Sequence, residues 1–453
     1  MKIVIVGAGK VGQTLTAQLA RENYNVTVID TDAQLLERLV NSDDVMGVEG
    51  NGANYDVQVE AGVAGANLLI ATTGSDEINI LACLVAKQLG VAHTIARVRN
   101  PEYEKQLRFM RRELGLTMAI NPEKEAAREI ARVLRLMGAS KVEAFSKGRI
   151  ELIEHHLHAE SPLCGLKLME LEKKFRIKIL ICAVVREGRV SIPSGHFRLA
   201  ADDTVYLTAP PQMLDQFFRQ LGILKNRAKS VMVVGASTTG YYLTQALVDA
   251  GMSVKVIDQD EERCLHFAER APRALIIHGD GTDPDLLEEE GLAEADAFVA
   301  LTNIDETNIL MSMNVSHNYN CKVVSKVNRK SLRELMSQTA IVDSVVSPAE
   351  VTAERIVVYV RAMKNADGLP AKTLHHLVSG QVDAMEFNVT ETLPVIGVPL
   401  KDLPLKSGIL LAAIVRQSGE IVIPSGNDSL QTGDDVIVVT TDTALDDLRD
   451  ILR

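Results

Sequence analysis

The feature that most limits how this chain can fold is that it repeats itself. The apolar run Lys2 to Val6 leads into Gly7-Ala8-Gly9-Lys10-Val11-Gly12, and Val231 to Val234 leads into Gly235-Ala236-Ser237-Thr238-Thr239-Gly240, at an offset of 228. Asp30 and Asp258 stand at the same offset. Asp76-Glu77-Ile78-Asn79 returns as Asp305-Glu306-Thr307-Asn308, and Ile192-Pro193-Ser194-Gly195 as Ile423-Pro424-Ser425-Gly426. Two copies of one ordered set of motifs demand two copies of one fold, each carrying its own site.

Each copy divides into a longer α/β part and a shorter β-rich part. In the first, Lys2–Val6, Val26–Ile29, 67–71 and 94–98 read as buried strands. Between them lie helical stretches, one with Val11, Leu15 and Leu19 at four-residue spacing and another through Ile78–Leu89. Strands alternating with amphipathic helices imply βαβ units and a parallel sheet covered on both faces. The second copy follows the same course through 230–234, 253–257, 297–301 and 322–327. Asn121-Pro122-Glu123 and Ser347-Pro348-Ala349-Glu350 both read as a helix cap with proline at the first helical position. The helices that follow, Glu125–Met137 and Val351–Met363, have apolar faces carrying Ile130, Val133 and Leu134, or Ile356, Val357 and Val360. These faces are expected to pair chains into dimers.

Beyond each helix, hairpin signals take over: 179–185 and 190–192 around Glu187-Gly188, and their twins 409–415 and 421–423 around Ser418-Gly419, one residue longer. The expected domains are 1–122, 123–224, 229–348 and 349–453, with linkers near 224–229 and 364–372.

The glycine loops carry the chemistry. With a strand before and a helix after, Gly7 permits a tight turn, Gly9 lets backbone approach a pyrophosphate, and Gly12 lets the helix pack closely. The helix N-terminus offers free N–H groups and partial positive charge to phosphates. Asp30 ends the second strand, where a carboxylate reaches ribose hydroxyls and disfavours a 2′-phosphate. No arginine directly follows it, so NAD(H) or an adenosine nucleotide such as ATP or ADP is expected rather than NADP. A glycine turn with a capping aspartate and no ligand is the alternative.

In the second copy Ser237 replaces Gly9 and sets a Cβ where the pyrophosphate comes closest, while Gly235, Gly240 and Asp258 keep their places. A smaller or weaker ligand is expected there. Asn51 and Asp280, in the loops after the third strands, belong to the adenine end; Thr73, Gly74 and Thr302 follow the fourth strands. Arg97 and Lys326 place a cation at the end of each fifth strand. Ordinary turn chemistry competes for all of these. Lys10 can meet a terminal phosphate or stay in solvent. The six basic residues from Arg97 to Arg112 read as a solvated helix face.

Composition narrows the class. A net charge of −12 lacks the basic footprint that nucleic acid demands. Cys83, Cys164, Cys182, Cys264 and Cys321 are odd in number and without C-x-x-C spacing, which fits a reducing cytosol and neither disulfides nor zinc. Apolar runs of about seven residues fall far short of the ~18 that span a bilayer. His155, His156 and His158 alternate along a strand-like stretch, so only two share a face; no metal site and no catalytic residue is assigned.

Gly7 to Gly12, Asp30, the run Ala71 to Asn79 and Ala96-Arg97-Val98-Arg99-Asn100-Pro101 resemble the RCK (KTN) domains that regulate potassium conductance. The Ile192 to Gly195 hairpin and its twin, with Gly433-Asp434-Asp435-Val436, look like the small C-terminal domain of that family. The resemblance implies two Rossmann-like parallel-sheet domains, each followed by a small α+β C-terminal domain. Two such units without a membrane span are similar to the peripheral regulatory subunits of Trk-type potassium uptake. It further implies nucleotide contacts at Gly7, Ala8, Gly9, Lys10, Val11, Asp30, Thr73, Gly74 and Arg97. In the second unit they fall at Gly235, Ala236, Ser237, Thr238, Thr239, Asp258, Thr302 and Lys326. A homotetramer of eight units on the cytosolic face of the cell membrane, bound to a potassium-translocating membrane subunit, is the expected assembly. An NAD-dependent oxidoreductase and a control subunit of another transporter, such as an antiporter, remain the alternatives.

Overall fold

The structure, a computed structural model, describes all residues except 104–105, 107–113, 137–138, 223–227, 340–341, 365–368, 370, 443–444 and 446, together with the side chains of 147, 337–339, 362, 364 and 379. The chain forms two compact units, and like gathers with like: Met1–Ile130 with Ser230–Val357, and Ala131–Lys229 with Val358–Arg453. Most of each expected linker and most of the basic run after Arg99 fall outside the described residues.

The first unit holds the two parallel sheets. Strands β1 (Lys2–Val6), β2 (Asn25–Asp30), β3 (Met46–Glu49), β4 (Leu68–Ala71), β5 (His93–Arg97) and β6 (Met118–Ile120) lie in the order β3-β2-β1-β4-β5-β6. Helices α1 (Lys10–Arg21), α2 (Ala33–Ser42), α3 (Tyr55–Glu60) and α4 (Asp76–Gln88) connect them. Ile3, Val4 and Ile5 on β1, and all of Leu68 to Ala71 on β4, are inaccessible to solvent, as strands packed by helices on both faces must be. The order reverses between β1 and β4. Loops leaving the carboxyl ends of those strands therefore part, and a crevice opens above them.

The second half repeats this layout. Strands β12 (Ser230–Val234), β13 (Ser253–Asp258), β14 (Leu275–His278), β15 (Ala297–Ala300), β16 (Lys322–Lys326) and β17 (Ser344–Val346) follow the order β14-β13-β12-β15-β16-β17. The helices that matter below are the glycine-loop helix Thr238–Asp249 and its successor Glu261–Arg270.

The other compact unit holds two five-stranded antiparallel sheets. The first comprises β7 (Lys141–Phe145), β8 (Ile150–His156), β9 (Leu180–Arg186), β10 (Arg189–Ser191) and β11 (Thr204–Ala209). The second comprises β18 (Ala371–Leu377), β19 (Val382–Asn388), β20 (Ile409–Val415), β21 (Ile421–Val422) and β22 (Asp435–Thr440). One core serves both, drawing Phe145, Leu152 and Cys182 from one sheet and Val382, Ala384 and Ile437 from the other. Across that junction Ser146 donates its N–H and hydroxyl to Glu386 at 2.8 and 3.0 Å. The hairpin β9–β10 turns at Glu187 (φ 51°) and Gly188 (φ 74°), the paired left-handed residues that a tight two-residue turn requires. His156 and His158 do share a side, with ring centroids 5.3 Å apart. His155 packs edge-on against Phe218.

One expectation is corrected. The helices Pro122–Arg135 and Pro348–Lys364 do begin at their prolines, and Asn121 caps the first by accepting from the N–H of Lys124 at 3.0 Å. Their apolar faces, however, are not open to a second chain. Ile130, Val133, Leu134, Ile356, Val357 and Val360 are all fully buried within this one.

Candidate nucleotide site

At the first glycine loop, two of the three glycines serve the fold. Gly7 has φ +98°, and a Cβ there would stand 2.8 Å from the Thr73 amide nitrogen; at Gly12 it would stand 1.9 Å from the Gly7 carbonyl oxygen. Gly9 is different. Its backbone is extended (φ −66°, ψ −173°), open to any residue, and a Cβ there meets nothing within 4 Å. Its missing side chain leaves room for something other than protein. Asp30 braces the loop, accepting from the Ala8 N–H at 2.5 Å and the Asp32 N–H at 2.9 Å. Among the described residues no acceptor meets the N–H groups of Lys10, Val11 and Gly12, the free positive end of α1.

The second loop has the same frame and a different surface. Gly235 has φ +112°, and a Cβ there would stand 2.9 Å from the Leu301 carbonyl; a Cβ on Gly240 would lie 2.6 Å from the Gly235 carbonyl oxygen. Ser237 takes the extended conformation of Gly9, but its hydroxyl folds back to accept from the Gly240 N–H at 3.2 Å. It is a helix cap, and it engages a donor that the first loop leaves free. Asp258 accepts from the N–H groups of Ala236 (2.7 Å) and Asp260 (3.0 Å), as Asp30 does with its neighbours. It is more buried, and the Arg263 guanidinium stands 3.5 Å from its Oδ2. Leu35 occupies the equivalent place in the first copy.

The repeated Asp-Glu-x-Asn motif is a brace. Asn79 accepts from the Thr73 N–H and hydroxyl, both at 2.8 Å, and donates to the carbonyls of Thr73 and Arg97. Asn308 does the same for Thr302 and Lys326. Asp76 accepts from the N–H groups of Arg99 and Asn100, and Asp305 from those of Asn328 and Arg329. The motif thus ties the loop after the fourth strand to the end of the fifth. Asn51 and Asp280 make local turn contacts, accepting from the N–H groups of Ala53 and Thr282.

The two glycine loops converge. A cavity of about 640 Å³ is lined by Lys10, Val11 and Arg97 of the first copy and by Ala236, Ser237, Thr238, Thr239 and Lys326 of the second. Of the other expected site residues, Gly7, Ala8, Gly9, Gly12, Asp30, Asn51, Thr73 and Gly74 of the first copy and Gly235, Gly240, Asp258, Asp280 and Thr302 of the second lie off its walls. Further cations join it: Arg99, Arg263 and Arg270, the last stacked over the Tyr241 ring at 4.0 Å. Arg99 belongs here and not to a solvated helix face. Among the described residues Glu123 is the one carboxylate in the lining, and it pairs with Arg97 at 3.1 Å. Lys326 is 6% exposed and donates to the Leu301 carbonyl at 3.1 Å. Burial lowers its pKa from 10.5 to about 8, against the pull of Glu123, with Lys10 adding to the lowering. Tyr242 joins the walls by donating to the Arg99 carbonyl (3.3 Å) and accepting from Asn121 (3.1 Å). Six cations against one carboxylate make a site for an anion; next to its wall residue Lys10, the open space at Gly9 leaves backbone that a pyrophosphate can approach closely.

Comparison with known proteins agrees with this layout. The TrkA-N domain model matches residues 3–122 and 231–348, and the TrkA-C domain model matches 152–222 and 384–453. The chain belongs to the TrkA family. Among its relatives, the Trk system potassium uptake protein TrkA of Halomonas elongata is 32% identical over 456 residues, covering 100% of this chain and 98% of that protein. The TrkA homolog of Archaeoglobus fulgidus is 32% identical over 454 residues, with both chains covered in full. Of solved structures, the GsuK channel superposes with a TM-score of 0.65 at 20% identity, covering 98% of this chain and 77% of its own. The GsuK RCK domain gives 0.64 at 19%, covering 98% and 93%. These likenesses show the tandem RCK fold. Among the described residues no helix is long and apolar enough to cross a membrane.

Proposed function

We propose that this chain is a non-catalytic nucleotide sensor that gates a Trk-type potassium-uptake membrane protein from its cytosolic face. The observation that carries the reading is the convergence of two glycine loops on one cavity walled by six cations. The GsuK channel has been solved bound to NAD and bound to ADP, which supports NAD(H) and adenosine nucleotides as the ligand class. In this reading the first site contacts its ligand through Gly7 to Gly12, Asp30, Thr73, Gly74 and Arg97. The second uses Gly235 to Gly240, Asp258, Thr302 and Lys326, with Asn51 and Asp280 at the adenine ends. The domains are 1–122, 123–224, 229–348 and 349–453, and four chains supply eight units.

Binding alone moves nothing; the ligand must prefer one state of the assembly over the other. A cavity built from both copies provides that preference, because any shift of one glycine loop against the other changes the cation spacing that the phosphates meet. The test is calorimetry on the purified chain with NADH and ADP, followed by NADH oxidation against a panel of small carbonyl substrates. Binding without turnover is expected. Substrate-dependent NADH oxidation would instead make the chain an oxidoreductase.

A further inference from the structure

The two sites differ in what they can read. At the first, the Asp30 carboxylate is partly exposed and, among the described residues, no cation pairs with it, so a ribose diol can donate to it. At the second, the Asp258 side chain is 6% exposed and Arg263 faces it at 3.5 Å while bonding Asp260 at 3.0 Å through Nε. Arg263 itself is half exposed and lines the cavity with Arg270 and Lys326. Ser237 engages the Gly240 N–H and puts a Cβ at the position that Gly9 leaves open in the first copy. Each change removes a feature that recognises a dinucleotide or a ribose, and the arginines supply features that recognise phosphate.

We infer that the second unit takes its ligand by phosphates alone: an oligophosphate, free or as the tail of a nucleotide, held by Arg263, Arg270 and Lys326, with Lys10 on the facing wall and the ribose hydroxyls unread. Arg263 is the specificity-determining residue. An arginine beside the strand-ending carboxylate is the arrangement that admits phosphate where a bare carboxylate admits only hydroxyl. The first unit then reports a dinucleotide and the second reports phosphate-rich anions, and the shared cavity couples the two. This rests on the nucleotide-sensing reading above.

The experiment is calorimetry on the full chain with inorganic tripolyphosphate, ADP, 2′,3′-dideoxy-ADP and NADH, for the wild type, Arg263→Ala and Asp258→Asn. Tripolyphosphate should bind, and Arg263→Ala should weaken it by about tenfold or more, the effect of one lost charge-assisted hydrogen bond. NADH affinity should fall by less than tripolyphosphate affinity does, because Asp30 and the open backbone at Gly9 are untouched. Asp258→Asn removes the negative charge facing Arg263 and also one of the two acceptors that brace the loop, so it should move ADP and tripolyphosphate affinity in step. Tighter ADP than tripolyphosphate, with dideoxy-ADP equal to ADP, would identify a nucleotide tail; the reverse order would identify a free oligophosphate. Binding of NADH without tripolyphosphate would overturn the inference and leave the sensor intact. So would a loss of ADP affinity in Asp258→Asn with none in Arg263→Ala. Failure of every ligand would overturn both.

Discussion

Lys326→Met should make the ligand-free protein more stable and the ligand weaker, two effects of opposite sign from one residue. Lys326 is 6% exposed and its pKa falls from 10.5 to about 8 through burial. At about 1.4 kcal/mol per pKa unit, keeping that charge below pH 8 costs about 3 kcal/mol. Losing the ammonium also strips a donor from the Leu301 carbonyl, which costs about 1 kcal/mol. Net stabilisation is about 2 kcal/mol, or about 4–8 °C in the transition of the parallel-sheet unit. Glu123 keeps Arg97 as its partner, so it is not stranded by the change.

The pH dependence has a definite sign. Between about pH 8 and 10.5 the unfolded lysine holds a proton that the folded one has released, so stability attributable to this residue rises with pH across that window. Below pH 8 the penalty is present in full. An anion in the cavity draws the proton back, so affinity for a phosphate ligand should fall as pH rises through 8 in the wild type and lose that dependence in Lys326→Met. Ligand affinity in the variant should drop ten- to a hundredfold, from roughly 1.5–3 kcal/mol of charge-assisted bonding. Thermal melts and calorimetry at pH 7, 8 and 9 read both effects. A variant that melts lower and binds as well as the wild type would show Lys326 to be a structural residue.

Three further changes test the loops. Asp30→Ala should weaken NADH by about tenfold or more in calorimetry, because it removes the ribose acceptor and also the brace on the Ala8 N–H; unchanged affinity would remove Asp30 from the site. Ser237→Gly deletes the Cβ and frees the Gly240 N–H, at a cost of only a few tenths of a kcal/mol in helix capping. It should raise dinucleotide affinity at the second site, and the steric account fails if separately expressed variants show no gain. Gly12→Ala would force a Cβ to 1.9 Å from the Gly7 carbonyl, so α1 must shift from the sheet. A loss of about 1–3 kcal/mol in denaturant melts is expected, and an unchanged midpoint would contradict the packing described.

The fold was legible because its signals are local and occur twice. A strand, a glycine loop, a helix and a terminal aspartate are read within about thirty consecutive residues, and repetition at a near-constant offset removes chance. What escaped the sequence lies in contacts between distant residues. Nothing in the order of the chain says that the two parallel sheets gather into one compact unit and the two antiparallel sheets into another. The apolar faces with Ile130 and Val357 were correctly read as needing cover, but the cover comes from within the chain. The Asp-Glu-x-Asn motif stood out by repetition; only geometry shows that Asn79 and Asn308 bond backbone and leave no atom for a ligand. Arg263 did leave a signal, a basic residue in the first turn of a helix where the other copy has Leu35. It becomes meaningful once its guanidinium is seen 3.5 Å from the Asp258 carboxylate.

The central claim, that nucleotide bound at these loops governs potassium uptake, is tested most directly by potassium uptake in cells whose own copy of this gene is disrupted. Cells complemented with the wild-type chain should take up potassium and grow at low external potassium. Cells making equal amounts of Asp30→Ala should fail at low potassium and grow normally at high. Equal uptake by the two would contradict the claim.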